Sequence, residues 1–580
     1  MPYGVYNLKM IACTPQNYCS TTEISLMAVQ SATMCSLIFD PYVELEWNTV
    51  RVERCSLVPN AAPWTYQIFV EAESLPGLIP LNVPQLSPVM SFVGTPAFES
   101  PTGTTNQLTR LGVRVCDRFD TCTMHYSSPI GVQRSSNLTE SVHSLNLRAK
   151  RIFKSGDFLN SLTIYNSIFL KEISQNDQFA LFYSSSINQT INIGVAALQK
   201  PGLILTRGHY DLAINTFSFA IQRTGSLKQK RKLMALIERF LEKAESYDVA
   251  PSVNVLRNAY STVANAHYYN EFDRKKTGNA TIDDLDYLGD LRKALSRVRR
   301  SAAAQLPLGS RMILIAERTD FRFGEPRKLQ TAITELVHLK SVFDTTVKGF
   351  RNGTGNGTVG GRIQFGDEVK LLVDNDGGWN CGQKLPCSTV VYSTTLFPNE
   401  IPYPLPARSH PLTPALDIIV HAPRTGAEQH LKGMFKAAIF ELTVIGNITF
   451  GGTEYMTKCH YYDENDKVWR MDDIHPLGIS YGNAGCWTGH LSTFIVMRTT
   501  FGLNTDYILG VFVACLMGVL VFGMMLLFYL QRKREHEKAN EKTVHKTVQS
   551  STVNKRNINN KITPKNCKKI EIQTKTIMLE

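Results

Sequence analysis

Two residues with complementary chemistry stand one residue apart late in the chain: His490 and Ser492, separated by Leu491 in the stretch CWTGHLSTF (486–494). A serine hydroxyl is a weak nucleophile until a base removes its proton. An imidazole, with an ordinary pKa of about 6.5, suits that task at neutral pH. The Ser492 hydroxyl adjoins the carbonyl of Leu491. Attack there moves the Leu491 acyl group from nitrogen to oxygen, and water then hydrolyses the ester. Leu491 becomes a new C-terminus and Ser492 a new N-terminus. An ordinary peptide bond is inert, so the step also needs a bond held distorted by folded surroundings. The expectation is single-turnover self-cleavage, without cofactor or metal and without an external substrate, so the chain is not read as an enzyme.

Other candidates for chemistry have simpler readings. FDRKKTGNATIDDL (272–285) has the cadence of a calcium-binding loop, with Asp273, Gly278 and Asp284 at its first, sixth and twelfth positions. Lys275 occupies the third position, where an oxygen ligand is needed, so a glycosylated turn before a helix is the better reading. DNDGG (374–378) reads as a turn. RVRR (297–300) resembles a processing-protease site, but it falls at the end of a predicted helix, where cations suit the negative end of the dipole. H-E-x-x-H, the phosphate-binding G-x-x-x-x-G-K-[ST] and C-x-x-C are all absent from the sequence.

The surroundings of His490–Ser492 carry more information than the tripeptide. Cys459 begins CHYYD; Trp469 and Gly485-Cys486 follow, and Thr493-Phe494-Ile495-Val496 comes after the serine. This array resembles the GPS motif, the autoproteolytic end of the GAIN domain. In that motif a cysteine, aromatics with an acid, a tryptophan and Cys-x-Cys-x precede His-Leu-Ser/Thr and a hydrophobic strand. The resemblance implies His490 as base, Ser492 as nucleophile, cleavage after Leu491, Trp469 as a structural residue and a Cys459–Cys486 disulfide. Many members have a second bridge; here Thr488 stands in the place of one cysteine, and RMDDIHPLGISYGNA (470–484) lacks another. Closing the remaining loop is worth about 3.5 kcal/mol by chain entropy. A single span, a basic tail and β-type N-terminal modules are most similar to the polycystin and receptor-for-egg-jelly (REJ) family, and RLGVRVCDRFDTC (110–122) resembles the closing strands of its REJ region. The family implies an adhesion or recognition receptor for an unknown extracellular ligand, with a channel as a candidate partner. The alternative is a structural surface adhesin or antigen that keeps the GAIN-like fold uncut.

The elements that must position these residues follow from patterning, and the fold class expected is multidomain α+β. Residues 1–135 show short alternating apolar runs such as WTYQIFVEAE and read as β-sandwich-like, REJ-like modules. Cys116 and Cys122 flank a hairpin turn there. Residues 136–360 read as a helical GAIN-like subdomain: Leu233, Leu236, Ile237, Phe240, Leu241 and Ala244 recur at helical spacing. So do Leu285, Leu288, Leu291, Leu295 and Val298, and again Leu329, Ile333, Leu336, Val337 and Phe343. After the Gly-rich break at 351–361, residues 361–498 read as a β-sandwich whose GPS-like array spans 459–497, with 499–506 as a stalk.

Tyr507–Leu530 is free of charged residues and long enough to cross a bilayer as a helix. The tail 531–580, read as disordered, holds 13 Lys/Arg against 5 Asp/Glu, so 13 − 5 = +8 of the chain's net +12 lies there. Cations stay on the cytoplasmic side, so the expected topology is single-pass type I in the plasma membrane, N-terminal part outside. Tail cations add about 1 kcal/mol each of attraction to anionic lipid, and the rest of the chain is too weakly basic to suggest nucleic acid. Six sequons, at Asn137, Asn188, Asn279, Asn352, Asn356 and Asn447, all precede the span. Ten of the twelve cysteines precede it too, an even number that suits disulfides. MPYGVYNLKMIACTPQ lacks the apolar run of a signal peptide, so the expectation is a start lying further upstream.

Overall fold

The computed structural model describes residues 4–13, 19–28, 35–39, 42–57, 62–71, 77–95, 109–118, 121–170, 177–266, 282–320, 327–339, 345–351, 358–365, 390–398, 401–406, 409–422, 425–429, 434, 436–445, 456–480, 482–499 and 505–550. The chain divides into two compact units, Met1–Thr500 and Phe501–Glu580.

The first unit opens on an antiparallel pair, β1 (Gly4–Cys13) and β2 (Cys19–Ala28), whose register sets Cys13 opposite Cys19. Next come β3 (Ser36–Phe39), β4 (Trp47–Glu53), β5 (Thr65–Glu71), β6 (Ile79–Pro80), β7 (Val89–Val93), β8 (Arg110–Cys116) and β9 (Cys122–Tyr126). They form sheets β3-β4-β7 and β6-β5-β8-β9, whose Val50, Val52, Ile68, Val70, Phe92, Val113 and Val115 share one core. Alternating β-branched residues suit such half-buried strands. Disulfides join Cys35 to Cys55 and Cys116 to Cys122, the second closing the β8–β9 hairpin.

Among the described residues seven helices follow: α1 (Leu138–Lys154), α2 (Phe158–Leu170), α3 (Asp177–Gln199), α4 (Arg207–Arg223), α5 (Leu227–Ser246), α6 (Val253–Asn265) and α7 (Ile282–Ala304). Asn137 caps α1 by accepting from the Glu140 amide at 3.2 Å. The expected apolar face of α5, Leu233 to Ala244, is buried, as are Leu288, Leu291, Leu295 and Val298 of α7.

The remaining strands are β10 (Arg311–Asp320), β11 (Arg327–Leu339), β12 (Thr345–Arg351), β13 (Thr358–Phe365), β14 (Val390–Phe397), β15 (Ser409–Pro411), β16 (Ala415–His421) and β17 (Glu428–Gln429). After them come β18 (Ala438–Thr443), β19 (Met456–Asp463), β20 (Val468–Arg470), β21 (Ile474–Ser480), β22 (Asn483–Thr488) and β23 (Thr493–Thr499). One sheet runs β10-β11-β14-β16-β23-β19-β20, with β15 on β23 and β17 on β16; the other runs β12-β13-β18-β22-β21. The two sheets share a core of Phe365, Leu416, Ile418, Phe440, Phe494 and Val496. The opposite face of the larger sheet packs on the helices, because Leu314, Leu336, Ile495 and Met497 belong to the helical core. The larger sheet is therefore a middle layer, covered on both faces.

Two sequence expectations are corrected. Leu329, Ile333, Leu336 and Val337 lie on strand β11, not on a helix, and strands begin at Arg311 rather than beyond 361. β11 is buried on both faces from Thr331 to Leu336, so it lacks the period-two signature of a half-exposed strand and its apolar spacing mimics a helix. Phe343 lies outside the described residues.

The second unit holds one long helix, α8 (Thr505–Ser550), of which Val513–Lys538 is long and apolar enough to cross a membrane and is unburied. Residues 531–550, expected to be disordered, continue this helix. They are rich in Lys, Arg, Glu and Gln and free of Gly and Pro, so the helix propagates through them with no new nucleation cost.

Candidate functional site

Gly489–Ser492 is the short crossing between the two sheets. β22, before it, sits between β18 and β21 in the smaller sheet; β23, after it, sits between β16 and β19 in the larger. Both ends of the crossing are pinned. Thr488 O accepts from the Ala437 amide at 2.7 Å, Gly489 O accepts from Met434 N at 3.0 Å, and Gly489 N donates to Asp473 O at 3.2 Å. A Cβ on Gly489 would stand 2.5 Å from the Met434 carbonyl oxygen, so only glycine fits this approach. On the far side Ser492 O accepts from Ile418 N at 3.1 Å, and Thr493 and Phe494 register with Asp417 and Leu416. The Leu491–Ser492 peptide thus hangs between anchors in opposite sheets.

His490 is buried. Its ring lies edge-on to Tyr461, with centroids 4.2 Å apart and planes at 74°, and tilted against Phe494 at 5.9 Å. Burial, with the Asp472 carboxylate next in weight, pushes the Tyr461 phenol up to about 12, so it stays protonated. Thr488, buried behind the histidine, donates its hydroxyl proton to His490 O at 3.0 Å; its oxygen lies 3.3 Å from both His490 N and His490 Nδ1. The half-buried Ser492 hydroxyl donates to the carbonyl of Tyr462 at 2.9 Å.

Tyr462 is held by an aromatic cluster: Tyr403 at 4.6 Å, Trp469 at 5.3 Å and the Arg292 guanidinium over its ring at 5.0 Å. Trp469 anchors the cluster by donating its indole N–H to Pro404 O at 2.8 Å. Trp469 therefore acts on the crossing through Tyr462. Cys459 on β19 and Cys486 on β22 are bonded across the core, 27 residues apart with Cα atoms 6.3 Å apart, tying the two sheets together beside the crossing.

On the helical side, a cavity of about 500 Å³ exposes Leu491, Ser492 and Thr493 to α7 residues Arg292, Ser296 and Arg299. Arg299 pairs with Asp417, also bonds Thr395 at 3.0 Å, and both charges are buried. Asp417 accepts from Thr493 at 3.3 Å, and Thr493 meets the Tyr403 hydroxyl at 2.9 Å. Burial pushes the Asp417 carboxyl up against the opposing pull of Arg299. The arginines of RVRR are thus packed and paired, since Arg297 and Arg300 both meet Glu245. Spacing alone does not reveal these partners: Arg299 reads as one cation of a run, and Asp417 and Thr493 as ordinary strand residues.

Of the sequons, Asn137 and Asn188 are exposed, the first capping α1 and the second accepting from Gln229 at 3.0 Å on α3. Asn279, Asn352, Asn356 and Asn447, the DNDGG turn, Cys381, Cys387, Cys567 and all of the calcium-like loop before Ile282 lie outside the described residues. Cys515 is a free, exposed thiol on α8.

The full extracellular region of zebrafish Gpr126/Adgrg6 is similar in structure, with a TM-score of 0.34 at 9% sequence identity, covering 84% of this chain and 52% of that one. The chain therefore spans about half the length of that region. No family model and no curated protein matches the chain.

Proposed function

We propose that this chain is a single-pass cell-surface glycoprotein, an adhesion or recognition receptor of the GPS-bearing, polycystin/REJ-like class, which cuts itself between Leu491 and Ser492. The observation that carries the reading is the crossing itself: a His-Leu-Ser tripeptide suspended between two sheets, pinned at Gly489 and at Ser492 O. α8 supplies the apolar segment, and the cations that follow it favour the cytoplasmic side.

The chemistry proceeds from the resting hydrogen bond. The Ser492 hydroxyl leaves the Tyr462 carbonyl and turns to His490, which takes its proton as the oxygen attacks the Leu491 carbonyl carbon. The C–O bond forms, the C–N bond breaks, and the proton passes to the departing Ser492 nitrogen. Water from the adjoining cavity then hydrolyses the ester, leaving a Leu491 carboxylate and a free Ser492 amine. Both bridged cysteines lie before the cut, so the disulfide does not join the fragments. Retention rests on β23, whose Phe494, Ile495, Val496 and Met497 are buried on both faces and contribute on the order of 8 kcal/mol gross.

One observation favours the uncut alternative, a surface adhesin with the same fold: the resting Ser492 proton is engaged by a backbone carbonyl. A denaturing gel of the expressed chain decides between them. With 65.0 kDa over 580 residues, cleavage releases a tail-bearing fragment of about 10 kDa that Ser492→Ala abolishes. Full-length material alone would sink self-cleavage.

A further inference from the structure

We propose that Thr488 is the positioning residue for His490, and that it fixes the neutral imidazole as the Nδ1–H tautomer, leaving Nε2 as the basic nitrogen. The effect on cutting rests on the self-cleavage reading; the tautomer assignment does not.

The assignment follows from counting protons. A threonine hydroxyl has one proton to donate and two lone pairs to accept with. Thr488 donates its proton to His490 O at 3.0 Å. Its lone pairs then face two atoms of the same histidine, the backbone N–H and ring Nδ1, each at 3.3 Å. A lone pair facing a lone pair would be repulsive, so Nδ1 meets this oxygen favourably only as a donor. Thr488 is 0% exposed, so water does not compete for the oxygen. Its backbone is held as well: its carbonyl accepts from Ala437 N, and it registers with Ala438 on one side and Ile474 on the other. The hydroxyl therefore grips His490 at backbone and ring together, from the end of a strand fixed in the middle of its sheet.

A base that must take a proton needs both an open lone pair and a fixed orientation, and the group on its other nitrogen supplies both. That group is often a carboxylate; here it is a neutral hydroxyl. The Tyr461 and Phe494 rings flank the imidazole, and the Thr488 hydroxyl is the group that meets its Nδ1.

The test uses the full chain in lipid bilayers. In the Ser492→Ala chain, labelled with ¹⁵N-histidine, solid-state NMR at a pH of about 8 keeps the imidazole neutral. His490 is assigned by its loss in His490→Gln. The expected spectrum has a protonated Nδ1 and an unprotonated Nε2; adding Thr488→Val gives a mixture of tautomers. With Ser492 intact, Thr488→Val slows fragment appearance by roughly tenfold or more, and Thr488→Ser returns the rate to within about twofold. An Nε2–H tautomer in the Ser492→Ala chain, or Thr488→Val cutting at the parental rate, overturns the proposal. The spectrum needs no change at Thr488, so misfolding of the valine variant leaves the test intact. A parent that never cuts yet shows the Nδ1–H form refutes self-cleavage while supporting the tautomer assignment.

Discussion

Removing the Cys459–Cys486 bridge should loosen β22 and β23 together, by an amount that the chain separation sets. The perturbation is the double substitution Cys459→Ala and Cys486→Ala, which leaves no stray thiol and buries no unpaired hydroxyl. The bridge closes a loop over a separation of 27 residues, and the chain-entropy relation gives about 3.5 kcal/mol for a loop of that length. Both sulfur atoms sit in the core between the sheets, so the lost packing adds to that figure rather than offsetting it. Amide hydrogen exchange in the intact, bilayer-embedded Ser492→Ala chain reads the change locally, without any assumption that the whole chain unfolds in one step. Amides of β23, paired through Cys459–Val496 and Tyr461–Phe494 to β19, should exchange about 400-fold faster when opening is limiting at equilibrium, since each 1.36 kcal/mol is tenfold. Amides of α5, remote from the sandwich core, should keep their rates. An acceleration of less than about tenfold in β23 would mean that the sheets are held by packing alone, and the reasoning that one bridge fixes the crossing would fail.

Other expectations concern neighbouring parts of the same layer. Arg299→Met leaves the Asp417 carboxylate buried and unpaired, and should cost about 3–5 kcal/mol; Arg299→Met with Asp417→Leu should recover most of it, and strictly additive losses in denaturant titrations would contradict a coupled pair. His421 is buried, with Nε2 paired to the Ser393 hydroxyl at 2.7 Å and Nδ1 to Gly426 O at 2.9 Å, and burial pushes its pKa from 6.5 down to about 4. Below pH 6.5 the unfolded chain binds a proton there that the folded chain refuses. The contribution is therefore full above 6.5 and is lost as pH falls toward 4, by about 2 kcal/mol at pH 5, and His421→Gln should flatten that part of a stability–pH curve. Gly489→Ala should cost roughly 1–3 kcal/mol and stop cutting, because its methyl meets the Met434 carbonyl; normal fragment yield would count against the pinned crossing. If the chain is cut, the fragments should co-purify in native buffer and separate only on denaturation, whereas free release would show that burial of β23 does not retain it.

Legibility in the sequence tracked how each residue's environment is built. Faces exposed on one side and buried on the other declare themselves by period, as the α5 stripe from Leu233 to Ala244 does. β11 did not, because a strand covered on both faces from Thr331 to Leu336 loses its alternation. The same double burial made the strand after the tripeptide easy to read, since Phe494–Met497 is an unbroken apolar run next to a known landmark. Helix past Leu530 was missed for a different reason. A polar, coreless tail reads as disordered, yet propagation from an existing helix needs propensity, not a core.

The candidate site shows the same division at the level of single atoms. His490 and Ser492 are adjacent in sequence, so chain position alone places an imidazole and a hydroxyl near one peptide bond. What orients them comes from elsewhere: the Tyr462 carbonyl on β19 accepts the hydrogen bond of the Ser492 hydroxyl, and Asp417 on β16 accepts that of the next residue, Thr493. No spacing rule joins residues 417, 462 and 492: β17 and β18 separate the first two in sequence and β20 to β22 the last two, and only the β16-β23-β19 pairing of the larger sheet brings them together. Thr488 was legible only as a missing cysteine, a loss of rigidity. In the fold that position is buried, and a hydroxyl there makes three contacts with the histidine that a bridged sulfur, having no proton, could not make in the same way. On the self-cleavage reading, Thr488 in place of a bridged cysteine exchanges a covalent restraint on the sheets for a hydrogen-bonded restraint on the proposed base.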